Sequence, residues 1–259
     1  MRSLSLLALT IVLAACEPPP PRAQGDVEAL ALIDRSQTHH GSAALDRAEI
    51  TFSFRGTPFV LRRDGATFRY ARTLQDEQGR TVEEVVDNAG VHRFVDGVEV
   101  ELDAAETERV DTAVNSVAYF MLLPAPLTDG AARARLLTRD RVDGVDYDRV
   151  EVTFAQENGG FDYRDRYVYW LRDDGEIGHF AYTYEPTPGD TSRTETGTRF
   201  RVPVGQQRVG GVLFQDWHNV TADSLDGIEG FGDAYDNGLT FSISDVVLDS
   251  VRVTQLRED

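Results

Sequence analysis

The chain of 259 residues has no lysine and one cysteine. All 26 basic residues are arginine, set against 44 acidic ones for a net charge of −18. A surface of that sign repels nucleic acid, which is excluded as a partner. The same lysine-free, acidic composition is what a GC-rich genome or a salt-adapted host produces. A lone cysteine excludes an internal disulfide and a multi-thiolate metal site. Long apolar runs are also lacking. Leu4 to Ala15 is roughly a dozen residues, short of the roughly 20 that span a bilayer. There is no G-x-S-x-G elbow, no H-E-x-x-H and no Gly-rich phosphate loop.

The position of the one thiol is informative. Arg2, the apolar run, then Ala14 and Ala15 have the form of an export signal. Leu13-Ala14-Ala15-Cys16 resembles the lipobox of bacterial lipoproteins, which implies cleavage after Ala15 and acylation of Cys16. An ordinary secretory signal with a chance cysteine is the alternative. One acyl chain binds membranes marginally and several bind stably; the resemblance implies several. Glu17 to Gly25, "EPPPPRAQG", reads as a tether of polyproline II character. By the same resemblance, Glu17 in place of an aspartate favours the outer membrane over inner-membrane retention. The expected organisation is a signal peptide over 1–15, a lipidated cysteine and tether over 16–25, and one domain over 26–259.

Within that domain Asp26 is placed to cap a short helix, with Val27, Leu30, Ala31 and Ile33 as its apolar stripe. His39 and His40 fall in the last turn and Gly41 just beyond it, as helix C-termini favour. From Glu49 the period becomes two. Ile50, Phe52 and Phe54 share a face, as do Phe59 with Leu61 and Phe68 with Tyr70. Asp64-Gly65 and Asp96-Gly97 are hairpin turns. Asp103 and Glu106 form a capping box ahead of a helical stripe of Val110, Ala113, Val114, Val117 and Met121, which Pro124 ends. Ala131 to Leu136 is expected to add a helical turn or two. Strands then resume. Tyr167, Tyr169 and Leu171 face one way and Val168 and Trp170 the other, with Phe180, Tyr182 and Tyr184 answering across Asp174-Gly175. The expected fold is mainly β: about five strands, a helix and about six more, forming one strongly curved antiparallel sheet, an unclosed half-barrel with helices over its concave face.

Catalytic signals are sparse. Of the five histidines, His39 and His40 are adjacent, and neighbours on a helix point about 100° apart, so the pair does not chelate one ion readily. His92, His179 and His218 are the remaining candidates for a hydrolase, the weakest of three readings. The loop from Asp223 to Asp236 holds Asp223, Asp226, Glu229, Asp233 and Asp236 but departs from the helix–loop–helix calcium pattern. It is expected to be solvated. No metal and no cofactor is assigned.

Three runs, "HHGSAALDRAEITFSFRGTPFVLRRDG", "VNSVAYFMLLPAPL" and "VDGVDYDRVEVTFAQENGG…YRDRYVYWLRDDGEIGHFAYTY", resemble an uncharacterised family of bacterial lipoproteins. That family is itself similar to the lipoprotein-localisation factors LolA and LolB. The resemblance covers nearly the whole mature chain as a distributed pattern and carries over only Asn115, Tyr119, Leu123 and Pro124, as a structural helix end. It implies an unclosed β-barrel that holds acyl chains on its concave face. LolA is a soluble shuttle, so an anchored receiver or a static lipid-binding module fits this chain better. The resulting expectation is a monomeric, non-catalytic, periplasm-facing lipoprotein, bound to the membrane through Cys16 and taking an acyl chain or another hydrophobic small molecule. Ile50, Phe52, Phe54, Phe68, Tyr70, Val152, Phe154, Tyr169 and Tyr182 are the expected lining. An envelope scaffold or assembly protein with a packed core is the alternative.

Overall fold

The computed structural model describes residues 22–157, 163–185 and 196–257. The export signal and Cys16 lie outside them. The described end of the tether is docked. Strand β1 (Gln24–Gly25) pairs in parallel with β8 (Ala132–Val142). Gly25 has φ 147°, and a Cβ there would meet the Ala134 carbonyl oxygen at 1.8 Å, so only glycine fits.

The first sheet section is a meander of β2 (Arg47–Phe54), β3 (Thr57–Asp64), β4 (Thr67–Gln75), β5 (Thr81–Asp87), β6 (Gly90–Val95) and β7 (Val98–Val100). Its register aligns the apolar alternation: Ile50 opposes Leu61, Leu61 opposes Tyr70, and Tyr70 opposes Val86. Helix α2 (Ala104–Leu122) crosses this row with Val110, Val114, Ala118 and Met121 buried against it. The capping box forms: Glu106 N donates to Asp103 Oδ1 at 2.8 Å and Asp103 N donates to Glu106 Oε2 at 3.2 Å. At one end of the section the buried Glu84 accepts from Arg72 Nε at 2.6 Å and Arg93 Nη2 at 2.8 Å, and Arg93 Nη1 donates on to Glu106.

The second section runs β1, β8, β9 (Val145–Phe154), β10 (Tyr167–Leu171), β11 (Ile177–Tyr184), β12 (Gly197–Val209), β13 (Val212–Thr221) and β14 (Phe241–Val246). After the single residue Val247, β15 (Leu248–Gln255) pairs with β2, so the two sections meet at the last two strands. The edges at β7 and β1 do not pair with each other, and the curved surface stays unclosed. The faces of β10 and β11 are those read from the alternation, with Tyr167 opposite Tyr182 and Tyr169 opposite Phe180.

Four local expectations are corrected. Ala131 to Leu136 is not helical: Ala132 onward is strand, because pairing with β9 overrides the helix preference of its Ala, Arg and Leu. Helix α1 (Val27–His40) buries Ala29, Leu32, Ile33, Ser36 and His40, while Val27 is 83% exposed. Asp26 stands at the N-cap, but its Oδ2 accepts from Leu136 N at 2.8 Å and so ties the helix to β8. The acidic loop is not merely solvated. It folds into α3 (Phe231–Asp236), which lays Phe231 on Phe200 with ring centroids 5.3 Å apart. The outer face of the second section is thereby covered, and its central strands are buried on both sides.

Candidate functional site

The inner face of the second section is aromatic. Tyr167 and Tyr169 from β10, Phe180 and Tyr182 from β11 and Trp217 from β13 share one cluster. Opposed strand pairs stack: Tyr167 on Tyr182 at 5.6 Å and Tyr169 on Phe180 at 5.7 Å. The end of α2 closes over them. Tyr119 and Tyr169 share a hydrogen bond between their hydroxyls at 2.7 Å, and Phe120 lies 5.1 Å from Tyr182 and 5.7 Å from Phe180. Burial pushes the phenol of Tyr169 well above its ordinary range, so both hydroxyls stay protonated.

One cross-strand row changes character as it crosses this face. Leu136, Val150, Tyr169, Phe180, Arg201, Asn219 and Ser244 oppose one another in turn from β8 to β14. The first four are apolar or aromatic and the last three are polar. Arg201 is 7% exposed, with its guanidinium 5.1 Å over Phe120 and 5.6 Å over Tyr182. Its Nη2 donates to the Tyr182 hydroxyl at 2.9 Å, while Nε and Nη1 meet no hydrogen-bond acceptor. No carboxylate of the described residues pairs with it. Beside it, Asn219 is 6% exposed, gives Nδ2 to Ser244 Oγ at 3.4 Å and leaves Oδ1 unpaired.

The nine residues expected as a lining all face inward, but in two clusters. Ile50, Phe52 and Tyr70 are buried in the first section, with Phe54 and Phe68 at its margin. Val152, Tyr169 and Tyr182 are buried in the second, with Phe154 at its margin. Phe120, Trp217, Arg201 and Asn219 were not singled out by sequence, while Tyr119 was read only as part of a helix end and Phe180 only as a strand residue. The alternation of Phe200, Arg201 and Val202 carries a signal. It puts Arg201 opposite two apolar neighbours, which reads as outward until both faces are known to be buried. Two cavities lie elsewhere. One of about 260 Å³ is polar and lined by Gln37, Ser42, Asp46, Arg63 and Asp129; another of about 580 Å³ flanks Ser224–Gly230.

The histidines are engaged structurally. His40 Nδ1 donates to Leu213 O at 3.4 Å and Nε2 accepts from Ile177 N at 3.2 Å, so the ring is neutral and unable to chelate with its neighbour. Burial holds His40 down at about 4, and likewise His179, which is stacked 5.2 Å from Phe200. His92 Nδ1 meets Glu99 and His218 Nδ1 meets Asp245, each at 2.7 Å. His39 lies 3.7 Å from Asp174 and 4.0 Å from Glu176, a separate ring nitrogen facing each. In the acidic loop, Glu229 is paired with Arg166, which holds its carboxyl below the usual range.

A family model described as a family of unknown function, DUF6503, matches residues 46–244. No curated protein matches the chain. Among solved structures, a LolA superfamily protein from Nitrosomonas europaea is 10% identical, covering 86% of this chain and 94% of its own at a TM-score of 0.42. A DUF1329 family protein from Desulfovibrio piger is 11% identical over 86% and 92%, at 0.38. The Mycobacterium tuberculosis lipoprotein LppX is 10% identical over 61% and 89%, at 0.26.

Proposed function

The chain belongs to DUF6503, a family of unknown function, and we propose that it is a non-catalytic envelope lipoprotein that holds an acyl chain or similar hydrophobic ligand on its inner face. It would be anchored through Cys16 in the outer membrane and face the periplasm. The observation that carries this reading is the aromatic layer of the second section, which the end of α2 covers with Tyr119 and Phe120 beside the α1 residues Ala29, Leu32 and Ile33. An acyl chain would take the place of Tyr119 and Phe120 against Tyr167, Phe180 and Tyr182. Affinity would come from apolar area removed from water, about 25 cal/mol per Å². His40 is held by backbone groups and His92 and His218 by carboxylates, while His179 is stacked on Phe200 with its buried Nδ1 unpaired.

A second reading has its own support. The inner rings already touch one another, and Tyr169 and Phe180 are wholly buried, as in the filled interior of an envelope scaffold. The two readings separate in one experiment on the mature chain from residue 16 carrying Cys16→Ser. Native mass spectrometry with lipid extraction, followed by displacement of a fluorescent fatty acid, should find a stoichiometric ligand. A clean apo mass with no displacement overturns the binding reading and leaves the scaffold.

A further inference from the structure

The geometry points to Arg201 and Asn219 as the head-group site of an anionic amphiphile, a single-chain lipid ending in a carboxylate or a phosphate. This rests on the hydrophobic-ligand reading above and adds the ligand's charge and direction.

A guanidinium keeps its charge in a protein. Burying it without a counter-ion or a full set of acceptors is costly, and a hydrophobic residue of similar size would pack at no such cost. Arg201 has one phenolic acceptor and two ring faces, and two of its three nitrogens donate to nothing. Directly across the β12–β13 ladder, Asn219 Oδ1 is also unpaired. Two adjacent buried side chains with unused capacity of both kinds define a site for a group that offers acceptors, and in its protonated form a donor.

The row supplies the direction. From Leu136 through Val150 and Tyr169 to Phe180 it crosses three inter-strand gaps, on the order of 14 Å of apolar surface. It then reaches Arg201, Asn219 and Ser244 beside the seam strand, where Arg55 Nη2 also donates to Ser244 Oγ at 3.1 Å. A chain laid along the row places its tail under α1 and the end of α2 and its head on the guanidinium. The tail alone would be satisfied by the aromatic wall; a polar head would engage the unpaired groups of Arg201 and Asn219 as well.

The test compares palmitic acid, its methyl ester and palmitoyl lysophosphatidic acid on the Cys16→Ser chain, by titration calorimetry. The acid should bind about tenfold or more tightly than the ester, as expected for a hydrogen bond to a charged group. Arg201→Gln should abolish that preference while ester affinity stays within about twofold. Asn219→Asp places a carboxylate beside the guanidinium; it should also abolish the preference, and raise Tm. Whichever of the acid and the lysophosphatidate binds tighter identifies the head group. Equal binding of acid and ester by the unsubstituted site, or a preference that survives Arg201→Gln, overturns the head-group site and leaves the hydrophobic-ligand reading standing. Binding of none of the three overturns both.

Discussion

Glu84 and Arg201 are both charged, both on the inner face and both buried, at 3% and 7% exposure. The chain treats them in opposite ways. In the first section Glu84 is bracketed by Arg72 and Arg93, and Arg93 is itself tied to Glu106 on α2. In the second section Arg201 has a phenol and two ring faces. A sequence that surrounds one buried charge with partners has the means to surround another. The first section is a packing solution, in which a row of Ile50, Leu61, Tyr70 and Val86 is sealed by α2. The second departs from such a solution most at Arg201 and Asn219, where function is the better explanation.

The contrast is sharpest in stability. Glu84→Gln deprives Arg72 of its carboxylate and leaves Arg93 with Glu106 alone, and should cost about 3 kcal/mol in urea unfolding. Arg201→Met keeps the volume and removes the uncompensated charge, so it should be neutral or stabilising by about 1 kcal/mol. Similar losses from both would erase the distinction between the halves.

Acid should separate the halves next. His40 and His179 both serve the second section, while His92 in the first is at the surface. Burial lowers each of the two rings from 6.5 to about 4 in the folded protein. The unfolded chain therefore binds more protons between those values, and their contribution is complete above about pH 6.5 and lost as pH falls toward 4. Each is on the order of 3 kcal/mol. Amide exchange at pH 4.5 should accelerate in β11 and β13 before β3 and β4; uniform acceleration would contradict this.

The smallest expected effect is at the tether. Gly25→Ala should cost roughly 1–2 kcal/mol, because it forces a side chain onto the Ala134 carbonyl. Exchange should rise at Ala23 N and Asp26 N, which donate to Thr128 O and Ala134 O, and nowhere in the first section.

The strands were legible because alternation and turn residues agree. Asp96 and Gly97 both take positive φ, and the Asp103–Glu106 box forms as written. The terminal His39–His40–Gly41 pattern also holds, with Gly41 at φ 74°. Where alternation met a surface buried on both sides, it lost its sense of direction. Phe200 and Val202 point to the outer layer under α3, which turns Arg201 inward. Nor does the alternation show that Phe231, in a loop dense with Asp and Gly, is the cover that makes the outer side an interior. The nine inward residues were readable one strand at a time. Their division between two clusters was not, because it depends on where α1 and α2 cross.

The docked Gln24–Gly25 pair sets a leash length. Between Cys16 and the first described residue, Arg22, lie six peptide links, and a fully extended chain cannot exceed about 3.6 Å for each. With a lipid on Cys16 as proposed, the β8 edge hangs within roughly 20 Å of the bilayer surface. Attachment at that rim gives the molecule an up and a down. With that anchor, the Leu136 end of the Leu136–Ser244 row would lie nearer the point of attachment, with Arg201 on the far shore.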